Sequence, residues 1–553
     1  MAFLQALFAI LVPIVAFLVY YLSVIPRLNP LRHLNGPPVR SLFVNHLQLV
    51  LDPRSSPAAY EKLTKLYGRT MRIRGWDDRL LTLDPVSLSH VLKNTAVYQK
   101  PWQSRRLITS LIGCGMLSAE GQMHKRQRRV ATPAFSIQNL RALIPLVFQK
   151  GNELKDRWMI IIKKEQKLGT ENEHVLDVCH WISRATFDVI GLAGFDYSFN
   201  AIQDETNELF SAYKDMFEIA ISQGSLLRTL LSIYLPSLNQ LFPDRTALTV
   251  KRCQGVIQRV AGNLIQEKKW KIAEGEKSGT DYAGRDLLTL LLKSNNATDL
   301  TPEQRINDED ILNNINTFMF AGSDTSSLTV TWTLYLLAQH PEIQSRLRAE
   351  LYSVISASLP NVSDLTDEEM QTLFADIDGL PFLHNVVRES LRLIPPVHSS
   401  LRVATKDDHV PTMYPVQWSS GSTSKTVHVP KGSFIHVSIE AFNLDKEVWG
   451  GDAWIFNPDR WDNLPEKVSE QPGLFSNLLT FSAGPRSCIG LRFSIIEIKT
   501  FIFFLVTNFV FQETGDKIIK SNVVLTRPYI SGKYSSGSQL PLKVAPYVPS
   551  KDS

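Results

Sequence analysis

Residues 481–490 read Phe-Ser-Ala-Gly-Pro-Arg-Ser-Cys-Ile-Gly, and no other stretch restricts the chain so tightly. Gly484, Pro485 and Gly490 interrupt regular backbone, after which Leu491, Phe493, Ile495, Ile496 and Ile498 recur with helical spacing. Cys488 is thereby placed on a tight loop at the start of a helix. Amide N–H groups and the helix dipole converge there and favour a thiolate, which is a soft metal ligand. A buried, inert thiol is the usual reading of a lone cysteine. The Phe, Gly, Arg and Gly at fixed offsets around this one speak against it.

Composition bounds the class. Of 553 residues, 44% are hydrophobic and 20% charged, which describes a well-cored globular protein and not a disordered one. Lys and Arg number 59 against 54 Asp and Glu, so no general polycation is present and nucleic-acid binding is not expected. Four cysteines (Cys114, Cys179, Cys253, Cys488), none in a CxxC pair, argue against a disulfide framework and fit a reducing, cytosol-facing compartment.

The N-terminus departs from a soluble pattern. Ala2–Ile25 is apolar except for Gln5, Pro13 and Ser23, long enough at about 1.5 Å per residue to cross a bilayer's hydrocarbon core. Tyr20 and Tyr21 suit the interface, and Arg27, Arg32 and His33 follow. A cleaved signal peptide would want a basic n-region, a shorter core and a small-residue cleavage site. The expectation is a retained single-pass anchor over 1–25 in the endoplasmic reticulum membrane, with the body on the cytosolic side. Prolines 26, 30, 37 and 38 with Gly36 make 26–50 a stiff hinge, and 51–553 one catalytic domain.

The body reads as mainly α with a small β portion. Helical periodicity marks 137–165, 175–195, 203–225, 246–275, 308–340 and 341–357. Hairpins are expected at Thr70–Leu83 and at Thr426–Ser438 around Pro430-Lys431-Gly432, and a flexible surface loop at Gly275–Gly284.

The decamer has the form F-x-x-G-x-R-x-C-x-G and resembles the haem-binding loop of the cytochrome P450 monooxygenases. The resemblance implies that Cys488 is the proximal ligand of haem b iron, that Arg486 bridges to a propionate, that Phe481 packs beside the ring and that Gly490 completes the loop. Within the helix expected at 308–340, Ala321-Gly322-Ser323-Asp324-Thr325 resembles the family's A-G-x-D-T oxygen-activation signature. Thr325 would then hydrogen-bond at the oxygen site and Asp324 relay protons from solvent. Gly322 costs about 1 kcal/mol in a helix interior, so a bend or an opened groove is expected there.

Glu389 and Arg392 lie at i and i+3, one face of a helix. With Arg460 in Phe456-Asn-Pro-Asp-Arg460-Trp461 they resemble the family's E-x-x-R helix and later arginine loop, which implies a structural charge network serving folding and haem retention. The basic run His124–Arg129, followed by Ala131-Thr-Pro-Ala-Phe135, resembles the propionate-contacting helix. Arg128 keeps its arginine, His124 stands where tryptophan is usual, and Arg402 is the third propionate partner by resemblance. Lys125, Arg126, Arg129, Arg492 and Lys499 offer a docking face for an acidic electron donor.

The resemblance covers the chain after the hinge and implies the cytochrome P450 fold preceded by one transmembrane helix. It implies insertion of one oxygen atom of O2 into a C–H bond. NADPH electrons would arrive through a separate NADPH–cytochrome P450 reductase, with cytochrome b5 as an additional donor, because no nucleotide- or flavin-binding motif is present. Apolar residues of the segment Trp102–Leu117 (Leu107, Ile108, Leu111, Ile112) and Phe318 would line a pocket for a lipophilic small molecule. A terpenoid or other secondary metabolite is expected, with a steroid or fatty acid as the alternative. A haem-thiolate isomerase or dehydratase and a non-enzymatic haem carrier or gas sensor stay open as rivals, with the Asp324–Thr325 pair arguing against both.

Overall fold

The computed structural model describes residues 28–39, 46–75, 77–167, 174–222, 243–277, 286–296, 305–355, 364–522 and 524–549, with isolated positions before 28 and between 233 and 241. The expected anchor over 1–25 lies almost wholly outside the described residues. Among those described, no helix is long and apolar enough to cross a membrane.

The longer helices are α1 (Ser56–Tyr67), α2 (Pro85–Lys93), α3 (Trp102–Ile112), α4 (Gly121–Ala131), α5 (Ile137–Lys167), α6 (Val178–Phe195), α7 (Glu208–Ser222) and α8 (Arg245–Lys277). They continue with α9 (Leu287–Asn296), α10 (Asp308–Gln339), α11 (Pro341–Tyr352), α12 (Asp367–Gly379), α13 (Pro381–Leu393) and α14 (Leu491–Asn508). The strands are β1 (Thr70–Arg74), β2 (Asp78–Thr82), β3 (Tyr98–Gln99), β4 (His174–Asp177), β5 (Ser399–Ala404) and β6 (Asp408–Gln417). The rest are β7 (Thr423–Val429), β8 (Phe434–Ser438), β9 (Phe509–Glu513), β10 (Ile518–Asn522), β11 (Thr526–Ile530) and β12 (Pro541–Pro546). The chain divides into two compact units, Met1–Pro101 with Ser399–Ala453 and Pro465–Ser487, and Trp102–His398 with Trp454–Leu464 and Cys488–Ser553.

The first unit holds a five-stranded sheet in the order β1-β2-β8-β5-β3 and the separate β6–β7 hairpin. β1 and β2 pair antiparallel from Thr70↔Thr82 to Arg74↔Asp78, as the alternation around Gly75 leads one to expect. Met71, Ile73, Leu80 and Leu81 are buried. The second expected hairpin is corrected: β7 and β8 do not pair. β7 pairs with β6, while β8 enters the sheet between β2 and β5. The burial explains the split. β8 is covered at Ile435, His436, Val437 and Ser438 in succession, as an interior strand is, whereas β7 alternates buried Val427 and Val429 with more open neighbours. Part of the expected hinge is tied down here, because Asn35 N–H donates to Gln417 O at 3.0 Å and Ser419 N–H to His33 O at 2.8 Å.

The second unit is helical, with a β4-β12-β9 sheet and the β10–β11 pair. The helix expected from 175 starts later. His174–Asp177 pair with β12, and Asp177 caps α6 by accepting from His180 N–H at 3.3 Å. α8 runs through Lys277, past the start of the expected loop, and 278–285 lie outside the described residues.

α10 is the unit's axis. Asn307 caps it by accepting from Asp310 N–H at 2.6 Å, and Asp308, Glu309 and Asp310 complement the N-terminal dipole. The helix expected at 308–340 runs unbroken through Gly322, from Asp308 to Gln339. A Cβ at Gly322 would sit 2.7 Å from Ile190 Cδ1, so the glycine lets α6 approach. α14, apolar on nearly every face, completes the core beside α10 and α5.

Candidate active site

Cys488 lies between the short turn Gly484–Arg486 and α14, whose N-cap is Gly490. Its thiol is free and its side chain exposed, yet the surroundings are dense enough that burial pushes its pKa up. The Gly490 N–H donates to Sγ, and the Arg128 guanidinium also favours the anion, but neither outweighs desolvation. The expected amide contribution to a thiolate is present at Gly490, and burial opposes it. A thiol that coordinates a metal is deprotonated outright, so ionisation belongs to the bound ion.

The donor set tests which metal fits. Among the described residues no group of three or more His, Cys, Asp or Glu side chains could hold an ion. A structural zinc site needs four such donors. One axial thiolate fits an iron that brings its own equatorial nitrogens, as haem does.

α4 brings His124 and Arg128 onto one face, one turn apart. His124 is buried and Arg128 half-buried. Burial lowers the Arg128 pKa while Cys488 opposes the shift, which places the guanidinium in the electrostatic field of the sulfur. Elsewhere in the basic run Lys125 and Arg129 are exposed, while the two residues between His124 and Arg128 that face α10 are tied to it. Arg126 Nη2 donates to Asp310 Oδ2 at 2.7 Å, and Gln127 Nε2 to Asp310 Oδ1 at 3.2 Å.

Three of the expected residues belong to the first unit. Phe481 is buried with its ring edge-on to Phe475 at 5.5 Å. Arg402, buried on β5, donates to Ser400 Oγ at 2.6 Å. Arg486 is half-buried on the turn led by Gly484. Gly484 has φ of +71°, and a Cβ there would lie 2.6 Å from Leu92 O, so glycine is required twice over.

Asp324 and Thr325 sit at the middle of α10. Thr325 Oγ1 donates to Ala321 O at 2.8 Å, which leaves its lone pairs to accept. Thr317, Ser323, Thr329 and Thr333 back-bond to helix carbonyls in the same way. Asp324 pairs with Arg527 of β11. Burial works against the Arg527 cation, but Asp324 with more distant anions outweighs it and raises its pKa. The pair lines a small cleft in which Lys214, His180 and Ser327 sit beside Phe187, Phe210 and Phe320. Burial, then Arg184 and Lys214, lower the His180 pKa to about 4, so the imidazole is neutral at pH 7. Nothing in the sequence singles out Arg527.

The charge network assembles inside the second unit. Glu389 and Arg392 are fully buried and doubly bonded, with Arg392 Nη2 to Oε1 at 2.7 Å and Nε to Oε2 at 2.9 Å. Arg460 Nε donates to Oε1 at 3.2 Å. The structure adds Trp461 Nε1 to Oε2 at 3.1 Å and Asn457 N–H to Oε1 at 3.1 Å.

Two acids and bases change standing. Lys499, placed on the docking face from sequence, is buried and donates to Asp378 Oδ1 at 2.7 Å. Glu497, overlooked in an isoleucine run, is fully buried in α14, and burial pushes its pKa up to about 8.

The cytochrome P450 family model matches residues 34–531. The chain belongs to the cytochrome P450 family. Cytochrome P450 monooxygenase 205 of Postia placenta is 36% identical over 528 residues, 94% of this chain and 93% of that protein. Cytochrome P450 monooxygenase 128 of the same fungus is 35% identical over 535 residues, 95% and 94% of the two chains. A ganoderic acid synthetase of Ganoderma lucidum is 32% identical over 535 residues, 93% and 94%. Membership of the P450 monooxygenases implies a haem-thiolate cofactor, and the donor chemistry of Cys488 fits it. When bound, haem supplies the iron at which dioxygen is activated. With that cofactor, Cys488 would hold the metal, with Gly490 N–H and Arg128 favouring the charge on its sulfur. Thr325 would accept a hydrogen bond, and Asp324 would exchange a proton with the cleft it lines.

Proposed function

We propose that this P450 inserts one oxygen atom of O2 into a C–H bond of a lipophilic small molecule of the terpenoid or wider secondary-metabolite class. NADPH–cytochrome P450 reductase would supply the electrons. The observation that carries the reading is the acid–alcohol pair, since Asp324 lines a cleft of mixed polar and apolar character and Thr325 is held one residue on. A haem carrier has no need of it, nor does an isomerase that rearranges a peroxide without external protons. A relative named as a ganoderic acid synthetase supports the substrate class. The remaining cofactor contacts are those the resemblance assigns, and the apolar residues Ala2–Ile25 support an anchor in the endoplasmic reticulum membrane, with the catalytic body facing the cytosol.

Lys125, Arg129 and Arg492 are exposed and suit docking of an acidic donor. Co-expression with the reductase, followed by metabolite profiling against Cys488→Ala, tests the proposal. New oxygenated products that require NADPH and Cys488 support it. Products formed without NADPH, or identical profiles for both proteins, overturn it.

A further inference from the structure

We propose that His409 and His428 form a surface site for a borderline transition-metal ion such as Cu²⁺, Ni²⁺ or Zn²⁺, pinning the β6–β7 hairpin. The two residues are direct partners in the antiparallel register, and directly opposed residues of a sheet share one face. Their ring centroids are 5.0 Å apart with planes inclined at 33°. Metal–imidazole bonds of about 2.0–2.1 Å bring two donor nitrogens to about 3 Å from one another, a separation compatible with rings whose centroids are 5.0 Å apart. His409 is exposed and His428 half-buried, so an ion can enter without opening the fold.

The neighbouring groups define the ion. Asp408 is committed elsewhere, to His90 Nε2 at 2.9 Å and the Tyr98 hydroxyl at 2.8 Å. No third protein donor completes a cluster among the described residues, so water fills the remaining positions. Two imidazoles and water suit copper, nickel and zinc, with copper tightest, and do not suit calcium or magnesium.

An ion held by both strands binds only while they are paired, and so stabilises the pairing. The far end of this hairpin carries the Asn35–Gln417 and His33–Ser419 backbone bonds, so occupancy also steadies the segment after the N-terminal apolar stretch. The proposal rests on the hairpin alone and is independent of the oxygenase chemistry.

The test uses tag-free, haem-loaded full-length protein titrated calorimetrically with Cu²⁺, Zn²⁺ and Mg²⁺. Copper should bind one-to-one, more tightly than zinc, with electron paramagnetic resonance showing two nitrogen donors and with no heat from magnesium. His409→Gln or His428→Gln should each weaken copper by at least about tenfold, and the double variant should abolish it. A second measurement needs no variant: copper should slow hydrogen exchange of the β6 and β7 amides. Equal copper binding by wild type and double variant, or unchanged exchange in the hairpin, overturns the site.

Discussion

Glu497 of α14 and Ser326 of α10 face each other in the second unit's core, and neither side chain completes a hydrogen bond of ordinary geometry. Ser326 directly follows Thr325, and its hydroxyl, unlike those of Ser323, Thr325 and Thr329, is not spent on a helix carbonyl. Thr500, one turn beyond Glu497, is likewise buried with an unbonded hydroxyl. A buried carboxyl without a charged partner keeps its proton.

Stability should therefore depend on Glu497 in a definite direction. The folded pKa of about 8 stands above the ordinary 4.5, so the native state holds a proton that the unfolded state releases. Stability is full below pH 4.5 and falls as pH rises towards 8, with a slope near the ~1.4 kcal/mol per pH unit that one proton allows. Glu497→Gln should flatten that slope in denaturant titrations between pH 5 and 8. Equal slopes would place the proton elsewhere.

Asp324→Asn removes the ionisable member of the acid–alcohol pair while keeping its shape. Turnover should drop about 100-fold, with substrate affinity in spectral titration little changed. The same variant combined with Arg527→Gln should fall no further, because the two side chains form one pair. An additive double variant would separate them.

Trp461→Phe keeps the ring but removes one of the two donors to Oε2 of the buried Glu389 carboxylate, the other being Arg392 Nε, at about 1.5–3 kcal/mol. Arg460→Leu removes a guanidinium from the same acid and should cost more, about 3–5 kcal/mol. Unfolding midpoints with haem content measured alongside check the order.

Lys125→Glu with Arg129→Glu should slow reductase-supported turnover at low ionic strength and converge on wild type at high salt. Lys499→Met should leave that salt dependence unaltered, because Lys499 is buried against Asp378 and presents no charge to a partner. Stopped-flow reduction at two salt concentrations distinguishes the pair.

Legibility followed the range of the interactions. The Cys488 loop was readable because Gly484, Pro485 and Gly490 act on their own backbone and the apolar spacing after them is local. Glu389 and Arg392 were readable for the same reason, being one turn apart on α13, whereas Trp461 joins their network only through folding. Lys499 was misread, since a lysine in sequence looks solvated and nothing local shows that α14 is covered around that position. β7 and β8 were misread as a hairpin because both alternate convincingly and the turn between them is rich in breakers, while strand partners are chosen by which faces become covered.

The amino-acid sequence by itself determined a mainly helical cytochrome P450 with a cysteine loop, an acid–alcohol pair on one long helix and an i, i+3 ion pair, because backbone preference and side-chain period act over a few residues. Tertiary structure alone decided that Asp324 is matched with Arg527, 203 positions away, that the Cys488 thiol is held up by burial, and that Glu497 is neutral. Those outcomes depend on desolvation and on contacts between distant segments, which appear only when the chain is packed.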